Sequence, residues 1–325
     1  MDATFIRGKV IEPAVLRGLM QRSDLRGAVQ AGSHFGAILL TGWGLWALWG
    51  TWWAVPLFIV HGALISFLYA AQHELSHGTP FRTKSINVWL GRVVGFLQLY
   101  PRDFDQIQHF AHHQYTGNWE RDGELIREPY TLTSYLMWLF GPSYWWTRVT
   151  RLLRFGRGIV HEPYVRADQE ALVVREARIH LALYGLIAAV SVAAGSWIAV
   201  QLWLAPLLAM KIAHQLQNTI EHLGLTHSDN ILENTRSTRT NRLLRWVCWN
   251  MQYHTAHHAF PSVPFHRLSA LNRALTEGVG QPPHSMGYLD FQISVIAKLW
   301  GGKSEADYPY DEVWITAKGE RVALD

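Results

Sequence analysis

Three stretches of this chain place imidazoles three or four residues apart: His73-Glu-Leu-Ser-His77, His109-Phe-Ala-His112-His113 and His254-Thr-Ala-His257-His258. On a helix such spacings put the rings on one face, within reach of one metal ion. Two of them share the form H-x-x-H-H, which at this histidine frequency arises at a given start by chance roughly once in several thousand. Imidazoles packed this way repel one another when protonated and have no packing reason to converge, so their common task reads as metal binding. One ion takes about four to six ligands, so the eight clustered histidines together with His222 exceed one site and suit two metals with open positions. The nearby carboxylates Glu74, Asp122, Glu221, Asp229 and Glu233 are of the type that accepts an imidazole N–H and fixes its tautomer. His34, His61, His161, His180 and His284 stand alone and read as ordinary satisfied residues.

The elements that must hold these boxes follow from where charge is absent. Ser33 to Gln72 carries no charged residue, enough for two bilayer spans of about 20 residues each, with Gly50-Thr51 to turn the chain. Ile179 to Met210 repeats the pattern around Gly195-Ser196. The expected fold is therefore all-α and integral to a membrane, with four spans near 33–50, 52–72, 179–195 and 196–217 forming two hairpins. A single domain, 1–325, places its cytosolic cap in 73–178 and 218–325. At about 1.5 Å per residue, Trp52 to His73 covers roughly 32 Å, about the hydrocarbon thickness, so His73 and His77 emerge at the far side. The helix after Ser196 meets no Gly or Pro between Lys211 and His222, which brings Asn218 and His222, i and i+4, to a similar depth. Residues 1–32 read as an amphipathic arm, Asn87 to Tyr100 as an interfacial helix, and Leu132 to Trp146 as an aromatic belt followed by Arg148, Arg151, Arg154 and Arg157.

Composition agrees with a bilayer. Charged residues make up 17% of the chain, below the usual figure of about 25%, and there are 16 tryptophans. The formal charge of +4 is dispersed, without the basic-aromatic interleaving of a nucleic-acid surface, so no nucleic-acid partner is expected. Cys248 is the single cysteine, which excludes an internal disulfide and a cysteine-held iron–sulfur centre in these residues. The hairpin tips lack Lys and Arg, so the positive-inside rule puts both termini and every box in the cytoplasm, and the early Asp2, Arg7, Lys9 and Glu12 do not form a signal peptide. The expected place is a multi-pass position in a bacterial inner membrane.

Two other classes start from the same residues. His73-Glu74-Leu-Ser-His77 has the H-E-x-x-H form of an intramembrane zinc metalloprotease, with Glu74 as base, but that reading leaves both H-x-x-H-H boxes unexplained. A metal transporter would place its ligands within the spans, which here are almost empty of them.

The boxes resemble those of the membrane fatty acid desaturase family, H-x(3–4)-H, H-x(2–3)-H-H and (H/Q)-x(2–3)-H-H in that order. Asn218-Thr-Ile-Glu-His222 is similar to the N-x-x-x-H of some members, and Phe260-Pro-Ser-Val-Pro264 to the family's F-P-x-x-P. The likeness runs from the first hairpin to about Leu271. It implies two irons held by His73, His77, His109, His112, His113, His222, His254, His257 and His258, with Asn218 acting through a water. It further implies an enzyme that uses O2 as co-substrate to take hydrogen from unactivated C–H bonds. Desaturation of a lipid acyl chain is the first reading. Hydroxylation or oxidative demethylation of a hydrocarbon-like small molecule shares the same boxes. The chain holds no His-Pro-Gly-Gly haem motif, so electrons are expected from a separate ferredoxin, rubredoxin or cytochrome with its reductase, docking near the arginine row.

Overall fold

A computed structural model describes residues 10–303 apart from 119, 126 and 226–229, together with short strands at 313–315 and 321–323. The described chain is mostly helical. After a short helix α1 (Pro13–Leu19), Ser23 caps α2 (Asp24–Ala47) by accepting the Arg26 N–H, so this helix begins nine residues earlier than Ser33. Gly50 then turns the chain with φ +87°, a conformation open to glycine without steric cost. The return runs through α3 (Ala54–Ser66) and α4 (Leu68–His77). Helix α5 (Lys84–Leu97) covers most of the stretch expected to be interfacial, and α6 (Arg102–Tyr115) carries the second box. Gly141-Pro142 separates α7 (Leu132–Leu139) from α8 (Pro142–Gly156).

Helix α9 (Ala167–Ala193) ends at the second glycine turn, where Gly195 has φ +58°. The chain comes back through a wide turn at Val200–Leu204, α10 (Ala205–Ala209) and α11 (Lys211–His222). Then come α12 (Ile231–Asn234), α13 (Arg242–Val247), α14 (His254–Ala259) with the third box, α15 (Leu268–Val279) and α16 (Tyr288–Trp300). Strands are few among the described residues: Ser237–Arg239 pairs in parallel with Ser285–Gly287, and Val313–Ile315 pairs antiparallel with Arg321–Ala323. Neither pair is visible in the periodicity, because three-residue strands are too short to show one.

Two helical runs, Ala54–His77 and Ala167–Ala193, are long and apolar enough to cross a bilayer. The other two expected spans do not meet that measure. Polar Gln30, Ser33, His34 and Thr41 and the glycines of the helix dilute the apolar character of α2, and the helix after Gly195 is divided by the wide turn and by Met210. Both hairpins nonetheless carry bare apolar surface, including Leu39, Trp43 and Trp53 on the first and Leu186, Val192 and Trp197 on the second. Contiguous apolar surface of this kind marks a lipid or partner contact. The hairpins meet where Gly62 of α3 crosses α10: a Cβ there would come within 2.6 Å of the Pro206 carbonyl and of Met210.

Three apolar clusters grip the box-bearing helices. Leu68, Ala71 and Leu75 of α4 pack with Trp249, Ala256, Phe265 and Leu271. Phe104 of α6 packs with Phe155 and Val173, and Ile220 of α11 with Tyr135, Phe291 and Val295. Each fully buried large side chain contributes about 1.5–3 kcal/mol, so the helices are held from their outer faces while their histidines turn inward. The isolated histidines have other partners. His34 donates from Nε2 to the Leu64 carbonyl (3.0 Å) and accepts the Trp249 indole N–H at Nδ1 (3.1 Å). His61 lies between Thr41 Oγ1 (2.9 Å) and the Leu202 carbonyl (2.8 Å).

Candidate metal centre

Helices α4, α6, α11 and α14 bring nine imidazoles together in two groups, each with its possible donor atoms within 4.8 Å of one another. His73, His77, His109, His113 and His257 form the first; His112, His222, His254 and His258 form the second. Each H-x-x-H-H box is split between them in opposite fashion. On α6 the i and i+4 rings, His109 and His113, face the first group while His112 faces the second. On α14 the i and i+4 rings, His254 and His258, face the second while His257 faces the first. Two short helices thus bridge both groups, which fixes their separation to within a side chain.

The inward atoms are Nε2. In the first group His73 and His257 approach to 2.8 Å, His77 and His109 to 2.7 Å, and His113 lies 3.0–3.2 Å from His109, His77 and His257. In the second, His222 lies 2.7 Å from His254 and 3.1 Å from His112. An ion bound at about 2.1 Å by two nitrogens at right angles separates them by about 3 Å. These spacings are therefore the edges of a coordination shell, and the residues fit a metal in each group.

Several outward Nδ1 atoms face acceptors, whereas that of His113 is buried without a hydrogen-bond partner among the described residues. His112 faces both oxygens of Asp122 (2.8 and 2.9 Å), His109 faces Glu124 (3.3 Å), His254 faces Glu221 (3.3 Å) and His257 faces Glu74 (3.5 Å). His222 donates to the Asn234 carbonyl (3.0 Å), and His258 lies 3.2 Å from Thr116 Oγ1. An acceptor at Nδ1 holds the proton there and leaves Nε2 as a lone pair directed inward, the orientation a metal requires. Burial, reinforced by the neighbouring imidazoles, holds His109, His113, His254, His257 and His258 well below the ordinary histidine range. His112 differs: burial opposes its protonation, but the Asp122 and Glu124 carboxylates outweigh it and lift the ring to about 9.

Of the carboxylates singled out by sequence, Glu74, Asp122 and Glu221 stand behind imidazoles. Glu233 instead accepts from Asn230 Nδ2 (2.8 Å) at the start of α12. Asp229 lies outside the described residues. Asn218 sits one turn before His222 on α11 and lines an adjacent cavity. Glu124, Thr116 and the Asn234 carbonyl were not foreseen. A main-chain acceptor has no sequence signal, and Glu124 is one of several acids between Glu120 and Glu128.

Glu74 is fully buried and accepts from the Phe265 N–H (3.2 Å) and the Thr79 hydroxyl (3.2 Å). It stands at the outer edge of His257, so it is poorly placed to serve as a base on a metal-bound water. The arginine row also departs from expectation, because it is not one basic face. Arg148 turns onto the Tyr100 ring, while Arg151 and Arg154 both reach Glu162.

Comparison with known proteins agrees with this geometry. A family model described as "Fatty acid desaturase" matches residues 49–290, a span containing all nine histidines. The sn-1 acyl-lipid omega-3 desaturase (ferredoxin) of Synechocystis sp. is 24% identical over 256 residues, 71% of this chain and 70% of that protein. A fatty acid desaturase of Bacillus subtilis is 23% identical over 246 residues, 66% of each chain.

Proposed function

The chain belongs to the fatty acid desaturase family, and from that premise we propose that it is a membrane-bound di-iron oxidoreductase that uses O2 to desaturate a fatty acyl chain of a lipid. The observation that carries this reading is the pair of imidazole groups, nine rings on four helices, with Nε2 atoms turned toward one another. One iron in each group would supply O2 activation and removal of hydrogen from an unactivated C–H bond.

The chain's own residues orient and insulate that chemistry. Asp122, Glu124, Glu221 and Glu74 fix the tautomers of His112, His109, His254 and His257. His109, His112, His254, His257 and His258 are buried away from bulk water, and the clusters around Leu75, Phe104 and Ile220 stiffen the helices that carry them.

In this reading all four expected helical runs cross the bilayer and the boxes lie in a cytoplasmic cap, an arrangement supported by the two long apolar helices and the bare tryptophans of both hairpins. A separate ferredoxin-type carrier delivers the electrons, as the name of the Synechocystis relative suggests. The placement of Glu74 weighs against a protease.

A second reading, hydroxylation or demethylation by the same centre, would use the same two histidine groups. Expression in a host lacking the activity, followed by mass analysis of products formed with and without O2, tests both. A loss of two mass units requiring O2 supports desaturation, and a gain of sixteen carrying 18O from O2 supports oxygen insertion. Unchanged products from an iron-loaded protein would remove both.

A further inference from the structure

A cavity of about 570 Å³ adjoins the metal centre, a volume within the usual range for small-molecule sites of about 300–1,000 Å³. One side of it belongs to the centre. Tyr69 lies one turn before His73, Gln108 precedes His109, and Asn218 lies one turn before His222; all three line the cavity. The other side is cationic. Along α11, Lys211, His214, Asn218 and His222 follow one another at spacings of three, four and four and so share a face. Along α8, Tyr144, Arg148 and Arg151 do the same.

Arg148, at that end, has no carboxylate partner among the described residues, and Lys211 stands behind His214. Lys211 is fully buried, with its Nζ 3.1 Å from His214 Nδ1 and 4.1 Å from the centre of the Tyr144 ring. The Arg148 guanidinium stands 3.0 Å from the centre of the Tyr100 ring and 4.6 Å from that of Tyr144, and its Nη1 is buried without a hydrogen-bond partner among the described residues. The Tyr144 hydroxyl is likewise buried and unpartnered. Among the described residues no carboxylate forms an ion pair with Lys211 or Arg148, whereas Arg151 has Glu162. Burial brings Arg148 down to about 9, which leaves it cationic at neutral pH. The cavity's two carboxylates do not fill the gap: Glu124 faces His109, and Glu128 is exposed.

Buried charges cost several kcal/mol unless paired, and here the Arg148 guanidinium, the Tyr144 phenol and the His214 ring, with Lys211 behind it, line an open space. We infer that the cavity binds an anionic group of the substrate, a carboxylate or a phosphate, through Arg148, Tyr144 and the Lys211–His214 pair, with the carbon chain running from there to the metal centre. Lys211 and His222 are eleven residues apart, about 16 Å of helix rise, so the attacked C–H is remote from the anion. The anion could be the carboxylate of a free acid or the phosphate of a lipid headgroup. The inference rests on the reading of the centre as a C–H oxidase, but it concerns binding and is tested by binding.

The iron-loaded full-length protein in zwitterionic nanodiscs is titrated with stearate and with methyl stearate, and separately with phosphatidylglycerol and phosphatidylcholine. Hydrogen bonds to charged groups, at about 1.5–3 kcal/mol, predict on the order of tenfold or more preference for the anionic member of at least one pair. Preference in the first pair identifies a free acid, and in the second a headgroup. Arg148→Gln and Lys211→Met should each reduce that preference with iron content unchanged. Equal affinities within both pairs for the unsubstituted protein overturn the proposal, whether or not the variants fold, and so does a preference that survives both substitutions. Product analysis on the same preparation separates the two claims. Oxidised product without anion preference removes the anion site and leaves the proposed function; anion preference without oxidised product does the reverse.

Discussion

Nδ1 of His112 lies 2.8 Å from one carboxylate oxygen of Asp122 and 2.9 Å from the other, while its Nε2 lies 3.1 Å from that of His222. The Asp122 side chain is fully buried and also accepts the Gly117 N–H (3.1 Å) and the Glu124 N–H (2.8 Å), so it cannot swing away from the ring. Asp122→Leu, which removes the acceptor, should lower metal affinity of the second group about 10- to 100-fold. Asp122→Asn, which can still accept through Oδ1, should cost less. Metal content after dialysis against graded chelator measures both; equal retention by all three proteins would count against an orienting role.

The opposite split of the two H-x-x-H-H boxes gives a pattern that box-by-box thinking would not. His257→Ala should deplete the same metal as His73→Ala or His109→Ala, while His254→Ala should deplete the metal lost with His112→Ala or His222→Ala. Within one group the losses should be strongly non-additive, since the ligands act on one ion. Mössbauer spectra of iron-57 protein would read this as two components falling independently. A single component shrinking in every variant would refute the split.

Ser76, between the two ligands of the first box, donates from its hydroxyl to Asp105 Oδ2 (2.9 Å) and so sets α4 against α6. Burial pushes the Asp105 carboxyl up to about 7. A carboxyl held protonated in the fold favours folding at acid pH, and that contribution is lost progressively as pH rises from the ordinary value of 3.8 to about 7. At about 1.4 kcal/mol per unit, the swing is at most ~4 kcal/mol. Asp105→Asn cannot ionise, so thermal unfolding of the metal-free protein should show the variant gaining on the parent from pH 4 to pH 7. Parallel curves would exclude the group.

Arg236 is fully buried and donates from Nη1 to the carbonyls of Ile220 (2.7 Å) and Leu223 (3.0 Å), closing the end of the helix that carries His222. Cations are favourable at helix C-termini, and carbonyls stranded in a core cost about 1–3 kcal/mol each. Arg236→Met should therefore destabilise by roughly 2–4 kcal/mol and loosen the second metal before the first. A variant with unchanged melting temperature would show the cap to be dispensable.

Much of this was legible because metal ligation needs fixed residue types at fixed helical spacing, and the chain writes both openly in its boxes. The glycine turns at Gly50 and Gly195 could be read for a similar reason, since each interrupts a long uncharged run. The bridging of two groups by each of α6 and α14 could not, because spacing tells which rings share a face but not which ion each faces. Glu124 and the Asn234 carbonyl were hidden for a different reason: their roles depend on how the loop after α6 and the chain after α11 fold back. Likewise, four arginines in a row look like one surface until tertiary packing turns Arg148 inward and gives Arg151 and Arg154 to Glu162.

Two irons held by nine imidazoles, as proposed, would show in the metal content of the chain. Purifying the protein anaerobically from iron-supplied cells and counting metals per chain tests the proposal most directly. The account predicts two irons per chain, falling toward one when either His222 or His73 is replaced by alanine. One zinc per chain, or an iron content indifferent to both substitutions, would contradict it.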